Sequence, residues 1–169
     1  MSKPVDALFE RATLAIAARL VPQGWRGHDK APDNLRDLKA LWENCQRIGG
    51  PVIVSDLHCE RTVFSGPAAN MTFRAWHDYR HLTSNAEFDD AGERAVHLAM
   101  QLDLAEWRGG SRFGGDAIST HASCRMFTLL ECENIGQLDH WRAFGSPPAD
   151  QRTFALGYLA AKGFIQEKE

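Results

Sequence analysis

Apolar residues that recur at the spacing of an α-helix are the feature that most constrains the fold of this 169-residue chain. The clearest example is segment 32–48, whose apolar stripe ends at Gly49, Gly50 and Pro51. The same periodicity marks the segments 5–20, 71–82, 89–107, 116–133, 137–144 and 147–163. The pattern predicts a mainly α fold, with about six helices packed as an irregular bundle.

The expected β structure is small. Val52, Ile53 and Val54 form a β-branched run, which is typical of a strand. Segment 62–64 is a candidate partner in a hairpin or edge element, whereas segment 23–31 is predicted to be a polar loop. No internal repeat or composition shift divides the chain, so we expect residues 1–169 to form a single helical domain with a two-stranded β element.

Composition and charge narrow the class of protein. A chain with 44% hydrophobic and 24% charged residues is ordinary for a soluble globular protein. A net charge of −3 argues against a generally basic nucleic-acid binder. Four cysteines without a C-x-x-C pair favour a reducing cytoplasm. Arg11 and Arg19 interrupt the N-terminal apolar stretch, which argues against a signal peptide. No apolar run approaches the roughly 20 residues that a membrane span needs, so no membrane partner is expected.

Two histidines on one predicted helix suggest a metal site. His77 and His81 are four residues apart, so their rings project from the same face about one turn apart. This spacing lets a helix offer two imidazoles to one metal ion. Phe73 and Trp76 lie beside them, which indicates that this face is turned inward. The segment is therefore predicted to bind a divalent metal.

The following helix offers further ligands. Glu93 and His97 are also four residues apart, and the short connection between the helices favours antiparallel packing. Either side chain could then lie close to His77 and His81. A mixed His and carboxylate site suits zinc best, with iron or manganese as alternatives. Neutral imidazole and ionised carboxylate are both available at pH 7, so we expect metal binding to release few protons.

The same residues also fit a structural interpretation. The His, Asp and Glu side chains would hydrogen-bond to one another and hold the two helices together in a non-enzymatic, protein-binding module. The partner, like the substrate of an enzyme, is not readable from the sequence. The amphipathic tail 151–163 would complete the core or form the face of a homodimer.

Segment 70–107 resembles the zincin metallopeptidases, in which a helix carries H-E-x-x-H and a later helix supplies a third zinc ligand. The resemblance implies that His77 and His81 are ligands, that Asp78 is the general base, and that Glu93 is the third ligand. It therefore implies a metal-dependent hydrolase. Asp78 replaces the Glu of that family and is one methylene shorter, which predicts a weak base and argues against an ordinary peptidase.

A second resemblance is to the HD-type phosphohydrolases, which combine a His, a His-Asp pair and a distant Asp. Here His77 and Asp78 would be the pair, His58 or His28 the first His, and Asp139 the last Asp. Only the His-Asp dipeptide carries this match.

Two further resemblances, to di-iron helical bundles and to phage proteins, concern longer stretches of the predicted helices. A di-iron helical bundle needs repeated E-x-x-H pairs, so Glu131 and Glu133 would have to contribute. Segment 73–101 is also similar to uncharacterised proteins of bacteriophages and mobile elements, which implies protein binding or interference with host defence. The residues that carry this similarity are Trp76, His77, Asp78, His81, Phe88, Gly92, Glu93 and Gln101.

Overall fold

The fold is mainly helical, as predicted. The computed structural model describes residues 3–109 and 118–165. The helices are α1 (Ala7–Leu20), α2 (Leu35–Ile48), α3 (Pro67–Ser84), α4 (Asp90–Arg108), α5 (Thr120–Glu131), α6 (Gln137–Phe144) and α7 (Gln151–Ala161). A π-helical turn, Cys132–Gly136, joins α5 to α6 without a break. The described residues therefore contain six continuous helical rods.

Local sequence signals explain several helix ends. The side chains of Asp6, Asn34 and Asp89 accept hydrogen bonds from backbone N–H groups in the first turns of α1, α2 and α4. These N-caps satisfy donors that a helix start leaves unpaired. At the end of α2, Gly49 adopts a left-handed conformation with φ 70°, which stops the helix at the predicted place.

The predicted start of α3 was wrong. We expected Asn70 to cap a helix over residues 71–82, but α3 begins at Pro67 after Gly66. Proline is well suited to the first turn because its fixed φ is helical and its missing N–H needs no partner there. Asn70 is instead buried inside the helix, where its Nδ2 donates to Cys59 Sγ at 3.2 Å.

The helical region after the glycine-rich connection also differs from expectation. The predicted start at residue 116 lies outside the described residues, and the described part of α5 begins at Thr120 with Ser119 as its N-cap. Gly136, expected to interrupt the chain, belongs to the π-helical turn and leaves the helix continuous.

The β element is a two-stranded parallel sheet. Strand β2 (Val52–Ser55) matches the predicted strand, but its partner is β1 (Trp25–His28), which was predicted as a loop. Helix α2 connects the two strands, and a crossover of this length permits parallel pairing. The expected pairing with residues 62–64 was wrong because Val63 and Phe64 pack into the core instead.

An aromatic cluster forms the centre of the molecule. Phe9 of α1 contacts Phe64, which contacts Phe73 of α3, with ring centroids 5.7 Å and 5.5 Å apart. Phe73 also meets Trp76 edge-on at 6.1 Å. These side chains are at most 7% exposed. Their burial fixes which face of α3 is turned inward, and hence which face its histidines share.

A buried ion pair sets the alignment of α3 against α4. Asp103 of α4 is 2% exposed and accepts hydrogen bonds from Trp76 Nε1 at 2.8 Å and Arg80 Nε at 2.6 Å. Arg80 Nη2 also pairs with the second oxygen of Asp103. A bidentate salt bridge of this kind forms only within a narrow range of distances and angles. It therefore fixes the stretch of α4 that lies beside the histidines of α3.

Among the described residues, no helix combines the length and the apolar character needed to cross a bilayer.

Candidate metal centre

Three of the predicted ligands converge. One potential ligand atom each from His77, His81 and Glu93 lies within 4.8 Å of the other two. His77 Nε2 is 3.0 Å from Glu93 Oε2, and His81 Nε2 is 3.4 Å from Glu93 Oε1. The histidines come from successive turns of α3 and the glutamate from the first turn of α4. The group is therefore close enough to hold a metal ion.

A hydrogen bond on the side of the ring that faces away from Glu93 fixes the orientation of His81. Its Nδ1 lies 3.0 Å from the carbonyl oxygen of Ala86, which can only accept, so Nδ1 carries the proton. The other ring nitrogen, Nε2, faces Glu93. The ring is fully buried and stacks on Phe88 at 3.9 Å. Among the described residues Nε2 has no hydrogen-bond partner, although it lies 3.4 Å from Glu93 Oε1.

His77 is held in a similar way. Its Nδ1 makes a long contact of 3.6 Å with Asp78 Oδ1, while Nε2 faces Glu93. Both side chains are largely buried, at 18% and 14% exposure. A metal-binding histidine usually directs one ring nitrogen at the metal, while its other ring nitrogen contacts a carboxylate or a carbonyl oxygen. Asp78 is thus placed to orient His77.

The charges of His77 and Glu93 depend strongly on each other. Burial lowers the pKa of His77, but the interactions with Asp78 and Glu93 outweigh this and raise the pKa to about 9. Burial raises the pKa of Glu93, yet its close contacts with the imidazole rings, that of His77 above all, outweigh burial and hold this pKa well below its usual range. At pH 7 His77 and Glu93 therefore form an ion pair. A metal ion must displace the proton of His77, so proton release is larger than the sequence led us to expect.

Gly92 allows the loop before α4 to reach the site. A Cβ atom at this position would lie 1.8 Å from the carbonyl oxygen of Glu87. Only glycine leaves room for the loop to pack against the first turn of α4. That packing brings Ala86 to the Nδ1 of His81 and Phe88 over its ring. Gly92 entered the sequence-based predictions through the phage similarity, without a packing role, although a glycine inside the first turn of a helix is a readable signal.

His97 does not belong to the converging group. It lies one turn beyond Glu93 on α4 and is buried, and its Nδ1 is 3.4 Å from Asn134 Nδ2. Burial lowers its pKa, with Glu131 and Arg94 as smaller charge effects. The structure therefore places His97 against the π-helical turn, apart from His77, His81 and Glu93.

The group opens onto a cleft of about 400 Å³. His77, Asp78 and Glu93 form one part of its wall, and Glu133 and Asn134 of the π-helical turn form another. Apolar side chains make up much of the remainder. A small molecule in this cleft could therefore reach His77 and Glu93.

The converging group does not include the other residues named for the HD-type and di-iron resemblances. Among residues 3–109 and 118–165, it contains none of His28, His58, Glu131, Glu133 and Asp139. His28 is paired with Asp29 at the surface. Asp139 is half exposed and pairs with Arg142. The described residues therefore do not assemble the HD-type arrangement.

No protein-family model, no curated protein and no solved structure matches this chain. The comparisons give the zincin and phage resemblances no support. The case for the site therefore depends on its geometry.

Proposed function

We propose that this chain binds a divalent metal ion, zinc foremost, through His77 Nε2, His81 Nε2 and the carboxylate of Glu93, and that it is a metal-dependent hydrolase. The observation that carries the proposal is the environment of His81. Its ring is fully buried, and its proton is committed to Ala86. Its other nitrogen, Nε2, is buried and has no hydrogen-bond partner among the described residues. A buried polar nitrogen without a partner is costly, and a bound cation would supply the missing partner.

The ligand set favours zinc among the divalent ions. Two imidazoles and one carboxylate are typical of catalytic zinc sites, in which three protein ligands leave a fourth position open. The open position would face the cleft lined by His77 and Glu93. A zinc ion there would polarise a carbonyl oxygen and lower the pKa of a coordinated water, the chemistry that hydrolysis needs.

Asp78 is assigned a positioning role in this proposal. Its carboxylate contacts the rear nitrogen of His77 and contributes to the high pKa of that ring. Its place in the cleft wall also leaves it available as a base for a water molecule. We expect Asp78→Asn to lower the His77 pKa, measured by NMR titration of the imidazole in metal-free protein. An unchanged pKa would contradict the positioning role.

Metal content is the direct test. Protein purified without a metal-affinity tag should contain near-stoichiometric zinc by elemental analysis, whereas His81→Ala and Glu93→Gln should lose it. His121→Ala is the matched control because His121 is exposed and does not belong to the converging group, so the zinc content of this variant should equal that of the wild type. Metal-free protein that also fails to bind added zinc, manganese or iron would refute the proposal.

The alternative is a non-enzymatic protein in which the cluster is structural. The observation in its favour is the 3.0 Å contact between His77 and Glu93, which forms a complete ion pair without any metal. In that case His77→Ala should destabilise the fold by about 1–3 kcal/mol, because it leaves a buried charge unpaired. Added zinc would leave the melting temperature unchanged, which separates the two functions.

A further inference from the structure

The π-helical turn Cys132–Gly136 places two polar side chains in the wall of the cleft. Glu133 and Asn134 are buried, at 9% and 6% exposure, and both line the cavity. A π turn holds an extra residue and so redirects side chains relative to an α-helix, which is why such turns are frequent at functional sites. The turn packs closely, since a Cβ on Gly136 would lie 3.2 Å from the Tyr158 ring.

Most polar groups in this wall already have partners. Asn134 Nδ2 lies 3.3 Å from Met100 Sδ, in addition to its contact with His97. Arg74 Nη1 donates to the carbonyl oxygen of Ser55 at 2.9 Å. Glu133 differs, because among the described residues its Oε1 has no hydrogen-bond partner. A buried polar atom of this kind needs an explanation, and a ligand in the cleft supplies one.

The burial of Glu133 favours the neutral form of its carboxyl group. Burial raises its pKa to about 8, while a hydrogen bond from Gln137 and the charge of Arg74 on α3 lower it less. The other ionisable groups around the cleft are Asp33, His77, Asp78 and Glu93. In its neutral form the carboxyl group is a hydrogen-bond donor as well as an acceptor.

The remaining wall is suited to an apolar body. Phe73, Phe88, Leu138 and Trp141 contribute hydrophobic surface, and Trp141 is 52% exposed at the molecular surface. A volume of about 400 Å³ suits a small molecule or one large side chain. A fitting ligand therefore has an aromatic-sized apolar part and one polar end.

We propose that the cleft binds a small molecule with an apolar body and a carbonyl-type oxygen, and that this oxygen pairs with the buried carboxyl group of Glu133, whose Oε1 has no partner among the described residues. Glu133 lines the same cleft as His77 and Glu93, so one ligand in the cleft can contact all three residues. This inference rests on the proposed metal-binding function and specifies its ligand class.

Benzohydroxamic acid is a suitable probe, because it joins a phenyl ring to a carbonyl-bearing, metal-binding group. Its affinity for zinc-loaded protein can be measured by isothermal titration calorimetry. Glu133→Gln keeps a neutral donor of the same shape and should bind within about threefold of wild type, whereas Glu133→Leu should bind about tenfold more weakly, the equivalent of one lost hydrogen bond. Glu131→Gln is the control, since Glu131 does not line the cleft and pairs with Lys162.

The pH dependence gives a second measurement that does not need the leucine variant to fold. The ratio of wild-type to Glu133→Gln affinity should be constant below about pH 7 and fall above pH 8, where wild-type Glu133 loses its proton. Taking this ratio cancels the ionisation of the probe itself. Acetohydroxamic acid, which lacks the ring, should bind more weakly to every variant.

The outcomes separate the two proposals. If wild-type protein binds no zinc, both the metal function and this inference are overturned. If all variants bind zinc equally and the probe binds each with the same affinity and pH profile, only the role of Glu133 is refuted. Retained binding in Glu133→Gln, together with the pH-dependent ratio, supports it.

Discussion

At the scale of single residues, the candidate site depends on the contacts that orient each candidate ligand side chain. His81 donates to Ala86 and stacks on Phe88, while His77 is held by Asp78. These contacts fix the ring orientations and leave one nitrogen of each histidine facing Glu93. Pre-orientation of this kind reduces the entropy that a metal ion would otherwise have to overcome on binding.

The charges of these residues predict opposite pH effects with and without metal. The pKa of His77 is raised to about 9, so in metal-free protein its stabilising contribution is complete below about pH 6.5 and lost as pH rises to 9. Glu93, whose pKa is depressed, stabilises the fold above about pH 4.5 and loses this contribution on acidification.

Zinc competes with the His77 proton, so apparent zinc affinity should increase by about tenfold per pH unit between pH 6.5 and 9.

Urea denaturation with chelator and with saturating zinc, at several pH values, measures both effects. The stability gained from zinc should increase across the interval in which His77 loses its proton. Glu133, whose pKa is also raised, affects both forms and cancels in the difference. A zinc-dependent gain that is independent of pH would contradict the assignment of His77 as a ligand.

At the scale of elements, the α3–α4 pair is the unit that builds the site. The Arg80–Asp103 ion pair and the Trp76 hydrogen bond align the two helices, and the loop between them supplies Ala86 and Phe88. Asp89 caps α4 and so fixes where its first turn begins. Glu93 therefore reaches the histidines through the position of a whole helix.

Gly92→Ala should damage this arrangement. The added Cβ would lie 1.8 Å from the Glu87 carbonyl oxygen, so the loop must move away from α4. We expect a loss of about 1–3 kcal/mol in the free energy of unfolding, typical of overpacking, and weaker zinc binding. Gly157→Ala is the matched control, because a Cβ on this helical glycine meets nothing within 4 Å. The control should be slightly stabilising, by about 0.5–1 kcal/mol. Equal urea midpoints for the two variants would refute the packing argument.

At the scale of the whole molecule, the site is anchored in the core. Phe73 and Trp76 of α3 lie in the aromatic cluster, and the fully buried Leu159 and Ala155 of α7 complete the core. A ligand that ties α3 to α4 therefore acts on elements that contact most of the core. Local opening of the site requires part of this core to loosen.

Zinc binding should accordingly stabilise the molecule as a unit. Mass action predicts about 2.7 kcal/mol of added unfolding free energy at a zinc concentration of 100 times the dissociation constant. Fluorescence of the buried tryptophans and far-ultraviolet circular dichroism should report the same shift, and chelator should reverse it. Different shifts for the two signals would show that zinc stabilises only part of the structure.

Sequence periodicity predicted the helices well because an amphipathic helix depends on neighbouring residues. The i, i+4 spacing likewise predicted that His77 and His81 share a face. Strand β1 was missed, since Trp25–His28 pairs with residues that follow α2, and such long-range pairing leaves little local signal. The start of α3 was misplaced because Asn70 is a good cap residue locally but lies buried in the fold.

The sequence by itself determined the helical class and the two-histidine face, because both follow from spacing along one helix. The sequence favoured Glu93 over His97 as the third ligand, but only the tertiary structure shows that Glu93 reaches the histidines and that His97 lies outside the converging group. The buried Asp103 ion pair and the close packing at Gly92 place the first turn of α4, and with it Glu93, against the histidines. His97, one turn further along, meets the π-helical turn instead. The choice depends on how two helices align, and no local pattern encodes that alignment.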